Sequence, residues 1–160
     1  MIWYTAVAIA LLPAAHSTTD TVRVCLAPAS VQMVAGNTDA AIDAVRGTFT
    51  SFLTGPSLGV QPLTSRLASQ VREEAKATAC QYLLLTTGAA ISAATATREI
   101  ASSLRARDEL TLGWRLEGQD GRVLVDTSEK RKASSDGEDV LTPLVEHASE
   151  SIVSAIKAGK

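Results

Sequence analysis

The chain has 160 residues, 46% of them hydrophobic and 20% charged, with a formal net charge of −2. This length suits one domain that needs no metal or disulfide staples, since a domain of about this size buries roughly 68–70% of the surface its unfolded chain exposes. The composition argues against intrinsic disorder, and the slightly acidic balance gives no electrostatic reason to expect nucleic acid or anionic lipid as a partner.

In chain order, the first segment is MIWYTAVAIALLPAAHS, apolar from Ile2 to Leu12, broken at Pro13 and followed by small residues. The apolar run is shorter than the about 20 residues a bilayer crossing needs. Residues 1–17 read as a signal peptide, with cleavage after Ser17 or after Ala15, although no Lys or Arg precedes the run. A buried first strand is the rival reading. The expectation is an exported protein, periplasmic or secreted, whose mature part is a single domain over residues 18–160 with no membrane span.

TVRVCLAPA (residues 21–29) then reads as a buried strand closed by Ala-Pro. A helix follows, capped at Asn37 or Thr38 and stopped by Gly55-Pro56, with Ile42, Val45, Phe49, Phe52 and Leu53 on one face. LGVQPL (58–63) carries Pro62 and is an edge strand at best. TSRLASQVREEAKATA (64–79) is a second helix with a narrow stripe of Leu67, Val71, Ala75 and Ala79. CQYLLLTTG (80–88) is a continuous buried strand, and helical crossovers between strands imply a parallel arrangement. Residues 89–107 are rich in Ala, Ser and Thr without a clean period and read as an insertion.

From Glu109 the period changes to two: Leu110, Leu112, Trp114 and Leu116 share a face, and the chain turns at Asp120-Gly121 to return through Val123 and Val125. The last helix carries Leu141, Leu144, Val145, Ala148, Ile152 and Ile156 at helical spacing. The expected fold class is therefore mixed α/β, in the order β-α-β-α-β-(insertion)-β-β-α, with about five strands and three main helices.

The stretch with the most chemical look is SSDGEDVLTPLVEH (134–147), where Asp136, Glu138 and Asp139 precede His147. Pro143 forbids a helix starting much before Asp139, so the acids fall where a helix begins, and Asp139 or Thr142 can accept from free backbone N–H groups. The spacing fits no calcium loop, and His147 falls off the apolar stripe toward solvent. With His16 removed alongside the leader, His147 alone would have to carry any triad chemistry. There is no His or Cys spacing for zinc, and APASVQMVAG after the first strand is no phosphate-binding fingerprint. No catalytic, cofactor-binding or metal residue is assigned. Lys130, Arg131 and Lys132 read as a solvated strand edge.

Cys25 and Cys80 could close a disulfide in an exported chain. Cys25 in mid-strand and Cys80 at the start of another strand would be out of register as parallel neighbours, which favours two buried thiols.

Three stretches carry a family resemblance: VRVCLAP as first strand, SQVREEAKATACQYLLLTTG as a helix running into a buried strand, and LTLGWRLEGQDGRVLVDTS as a hairpin. Together they resemble the periplasmic α/β domain shared by the TolB amino-terminal module and the CsgG-like curli-secretion family, over residues 21–157. The chain departs from those families in having no lipobox Cys, no propeller and no pair of membrane-spanning hairpins, so their partners and channel do not carry over. The resemblance implies an α/β envelope protein. The leading expectation is a non-enzymatic protein that binds another protein or itself, with residues 89–107 as the adaptable segment. The alternative is a small-ligand domain using the crevice at the carboxyl ends of the parallel strands, near Ala27, Pro28, Thr86 and Thr87.

Overall fold

Alternation along β1 (Val22–Leu26) sets the two faces of the sheet. Val22, Val24 and Leu26 enter the main core, whereas Cys25 belongs to a smaller cluster on the opposite side. The structure, a computed structural model, describes residues 21–33, 38–91 and 108–159. The expected leader, residues 1–17, and most of the expected insertion, residues 92–107, lie outside the described residues.

The first strand ends at Leu26, before Ala27-Pro28, but its path does not. After the break the chain resumes as β2 (Ser30–Met33), and the Ala27 amide spans the gap by donating to Leu84 O at 3.0 Å. β1 pairs in parallel with the start of a long strand at Val24↔Tyr82, and β2 pairs with its end at Ser30↔Thr87. Pro28 lacks an N–H and so interrupts the ladder without ending the path. The sheet accordingly has six strands rather than about five.

α1 (Thr38–Leu53) buries Ile42, Val45, Phe49 and Leu53 as its spacing dictates. Phe52, expected on the same face, sits at the margin of the stripe in the last turn and is 40% exposed. β3 (Leu58–Pro62) pairs in parallel with β1 alone, so Pro62 costs no inner ladder bond. α2 (Ala68–Ala77) starts four residues later than its pattern suggested. The Glu74 carboxylate accepts from the Thr64 and Ser65 amides at 3.0 and 2.8 Å, which holds residues 64–65 in a loop against the helix. Leu67 is consequently extended (φ −82°, ψ 133°) and 63% exposed, not part of the stripe.

β4 (Tyr82–Ile91) takes three residues from the expected insertion and pairs antiparallel along its whole length with β5 (Glu109–Gly118). β5 turns into β6 (Val123–Lys132) through Gly121, whose φ of +77° suits glycine. α3 (Leu141–Ala158) closes the chain. The strand order is β3-β1-β4-β5-β6, with β2 beside the far half of β4. Among the described residues no helix is long and apolar enough to cross a membrane.

Helices cover the two faces unequally. α1 and α3 share the main core with Leu84, Leu112, Trp114 and Leu116, placing Val45, Phe49, Leu144 and Ile152 against them. On the other face α2 supplies only Val71 and Ala75, over Cys25, Ala27, Leu63 and Leu83. Beyond Leu83 and Glu117, that side of β4, β5 and β6 carries no helix among the described residues.

Cys25 and Cys80 form a disulfide, contrary to the thiol expectation, with Cα atoms 5.7 Å apart. The register objection treated Cys80 as a strand residue, but β4 begins at Tyr82. α2 ends in a turn in which Ala79 adopts φ +54°, its amide donating to Lys76 O while the Cys80 amide donates to Ala75 O. This is a Schellman-type stop with alanine in the usual glycine position. It folds Cys80 back over the sheet face toward which Cys25 points, so the sulfurs meet from above the sheet rather than along it.

Candidate functional site

The helix-free face is built from alternate residues of three strands. Its middle row is Thr87, Gly113 and Ser128, opposite one another across β4, β5 and β6. Gly113 lets Thr87 approach closely, since a Cβ there would collide with Thr87 Oγ1 unless that side chain moved. The missing side chain opens a hollow of about 490 Å³ floored by Leu85 and Gly113 and walled by Arg115, Asp126 and Ser128. A smaller hollow of about 200 Å³ adjoins it, lined by Ser30, Gly88, Ala89 and Thr111.

A chain of charges bounds this face on the α2 side. Glu117 is buried, its side chain 4% exposed, and receives Arg72 Nη2 at 3.1 Å and Arg115 Nε at 2.9 Å. Arg115 also donates through Nη1 to Asp126 at 3.0 Å, so four side chains link α2, β5 and β6. Burial pushes the Glu117 carboxyl up, but the two guanidiniums together outweigh it and hold the group below the usual carboxylate range. Beside this chain, a cleft of about 460 Å³ separates α2 from the β5–β6 turn. Ala75 and Leu83 line it with Arg72, Lys76 and Asp120. Gln119 Nε2 closes one wall by donating to Cys80 O at 3.0 Å.

The residues singled out in the sequence are dispersed. Thr86 is turned into the main core, its hydroxyl without a hydrogen-bond partner among the described residues, while Thr87 lies on the open face. Ala27 is buried, and β2 continues the β1 path past Ala27-Pro28; of the residues named for the expected crevice, Thr87 lines the smaller hollow together with Ser30. In the acidic stretch, Asp139 accepts from the Thr142 amide at 3.0 Å and Glu138 accepts from the Ser134 amide at 2.6 Å, fixing the loop before α3. Those bonds, with the Ser134 hydroxyl foremost, hold the Glu138 carboxyl low. His147 is largely exposed, edge-on to Trp114 with centroids 6.4 Å apart and 3.6 Å from Glu129. Among the described residues no group of three or more His, Cys, Asp or Glu side chains is placed to hold a metal ion.

Arg72, Arg115, Glu117 and Asp126 carry the geometry; the helical pattern assigns Arg72 to the solvent side of its helix, and the other three are not singled out by the sequence. Arg115 and Asp126 are legible in retrospect as opposite partners once the hairpin register is fixed. Arg72 offers no such signal, because it comes from a helix distant in sequence.

No family model matches the chain, and no curated protein matches it. Solved structures do match. The fold is similar to that of PelC. A dodecamer of a PelC point variant from Paraburkholderia phytofirmans aligns with TM-score 0.59 and 14% identity over 83% of this chain and 88% of that one. The PelC dodecamer in a second crystal form gives 0.53 and 12%, over 85% and 89%. At a TM-score of 0.41 and 8% identity, the LpoB C-terminal domain from Salmonella enterica aligns over 74% of this chain and 87% of that one. A hemagglutinin homologue from Helicobacter pylori gives 0.44 and 9%, over 87% and 85%. None of these four is a TolB or CsgG protein.

Proposed function

We propose that this is a non-enzymatic protein of an exported compartment, in the periplasm or cell envelope, that works by assembling with further copies of itself. The observation that carries the reading is the uneven cover of the sheet. On one face α1 and α3 bury the core side of β1, β4 and β5, while beyond Leu83 and Glu117 β4, β5 and β6 present a hollowed face on the other side that no described helix covers. Small side chains at Gly113 and Ser128 leave it open to approach. The similarity to a chain that forms a dodecamer supports self-assembly in particular. The Cys25–Cys80 disulfide supports an oxidising compartment, in keeping with the apolar leader. The resemblance to TolB and CsgG-like modules belongs to the same reading, as an envelope-type α/β build.

Sedimentation equilibrium of the oxidised protein tests this. Mass above that of the monomer, rising with protein concentration, is expected. A monomer up to the highest soluble concentration refutes self-assembly. A ligand reading keeps one observation in its favour, the cleft of about 460 Å³ beside Arg72, which lies at the opposite end of β4 from the crevice expected in the sequence. A metabolite raising the thermal midpoint of the wild type, with the rise lost in Lys76→Ala, would establish it.

A further inference from the structure

Among the described residues β6 is the outermost strand, and Asp126 to Lys132 are exposed along it. The Ala133 amide donates to Asp108 O at 2.8 Å, which fixes the phase of the ladder with β5. Thr127, Glu129 and Arg131 therefore turn their backbone N–H and C=O groups inward to β5, while Asp126, Ser128 and Lys130 turn theirs outward. These three are also the residues whose side chains stand on the open face. An edge of this kind is a template for another strand unless its side chains forbid pairing, and lysine is a common means of forbidding it. Here Lys130 is matched by an acid four positions earlier, so the edge is complementary to itself.

We propose that two copies join edge to edge through antiparallel β6 strands about a two-fold axis at Ser128. The proposal rests on the assembly reading and assigns it one contact, at the strand edge that borders the open face. With Ser128 opposite the partner's Ser128, Asp126 faces the partner's Lys130 and Lys130 faces the partner's Asp126. On the other face Thr127 lies opposite the partner's Glu129, and Val125 opposite the partner's Arg131. Asp126, Ser128 and Lys130 then exchange roughly six backbone hydrogen bonds across the axis. Within its own chain Asp126 already receives Arg115 at 3.0 Å and Lys130 lies 3.6 Å from Glu109, which pre-orients both for the contact. The neighbouring registers are worse. Moving the axis to Glu129 keeps Asp126 opposite a lysine, the partner's Lys132, but sets the Glu129 carboxylate against its own copy, and moving it to Thr127 leaves Asp126 opposite Ser128 and Lys130 opposite Leu124, with both charge pairs lost. The contact is isologous and joins two sheets into one, with both open faces on the same side.

The experiment uses the full chain in its oxidised form, in which the native cysteines are bonded to each other. Ser128→Cys and Thr127→Cys are oxidised mildly, with the wild-type mass measured in parallel. A covalent dimer from Ser128→Cys and little from Thr127→Cys is expected, because only residue 128 meets its own copy. Ser128→Pro removes an outward N–H and spares the ladder with β5. It should weaken association about tenfold or more. Lys130→Asp should weaken it similarly, and adding Asp126→Lys should restore it. If the wild type assembles but Ser128→Cys gives no dimer and Ser128→Pro assembles normally, the β6 interface is overturned and the assembly reading survives. A monomeric wild type overturns both.

Discussion

Removing the disulfide is the most informative single perturbation. Cys25 and Cys80 lie 55 residues apart in sequence, and the loop they close contains β2, α1, β3 and α2. Loop-closure entropy for a span of this length gives about 4 kcal/mol of stabilisation. Little else compensates on that side of the sheet. The cluster under α2 consists of small or medium side chains, Ala27, Leu63, Val71, Ala75 and Leu83. Cys25→Ala combined with Cys80→Ala is the cleaner variant, because serine would leave a buried hydroxyl without a partner. The loss should lower the melting midpoint by roughly 8–16 °C. Urea denaturation of the double variant, and of the wild type with and without reductant, measures it directly. A loss below about 1 kcal/mol, with the urea slope unchanged, would refute the claim that the crosslink holds α2 to the sheet.

Glu117→Gln should cost about 1–2 kcal/mol rather than the 3–5 of a wholly buried pair, because Arg72 and Arg115 stay nearly half exposed and water can re-solvate them. Since folding lowers the Glu117 pKa from its ordinary 4.5, its contribution is present above that value and is lost as pH falls through the lower folded value. The gap between wild type and Glu117→Gln in urea melts should therefore close on acidification, and a gap that persists in acid contradicts the assignment. Ala79→Gly relieves a left-handed alanine at φ +54° and should stabilise by up to about 1 kcal/mol, read as a raised urea midpoint. Gly113→Ala should destabilise by about 1 kcal/mol through its collision with Thr87, and Thr87→Ala in the same chain should recover most of the loss in thermal melts.

Much of the fold was legible because the elements are locally consistent. The period-two run from Leu110 to Leu116 and the Asp120-Gly121 turn specify the hairpin, and the stripe from Leu141 to Ile156 specifies α3. Pro62 identified the edge strand. What escaped notice depends on contacts distant in sequence. The start of α2 is set by a Glu74 carboxylate reaching back to Thr64 and Ser65, a bond no local pattern announces. β2 was hidden behind Pro28, and its place is set by β4. The disulfide was missed because Cys80 occupies a helix stop rather than a ladder position, and the only local mark of that stop is an alanine in a conformation normally reserved for glycine. The charge chain through Glu117 joins two strands and a helix and exists only once all three are assembled.

The central place of β1 bears on when this chain can fold. β1 lies between β3 and β4, and Val24 finds its partner only at Tyr82. A chain that has delivered β1, β2, α1 and β3 owns one parallel pair, β1 with β3, and a helix, with one side of β1 still unsatisfied and β2 still without its partner β4. The early part of the polypeptide is thus kept from closing a core of its own, while the local β5–β6 hairpin and α3 arrive last and can form quickly. Such an order favours a polypeptide that stays threadable until most of it has been delivered and then completes its sheet in one late, cooperative step.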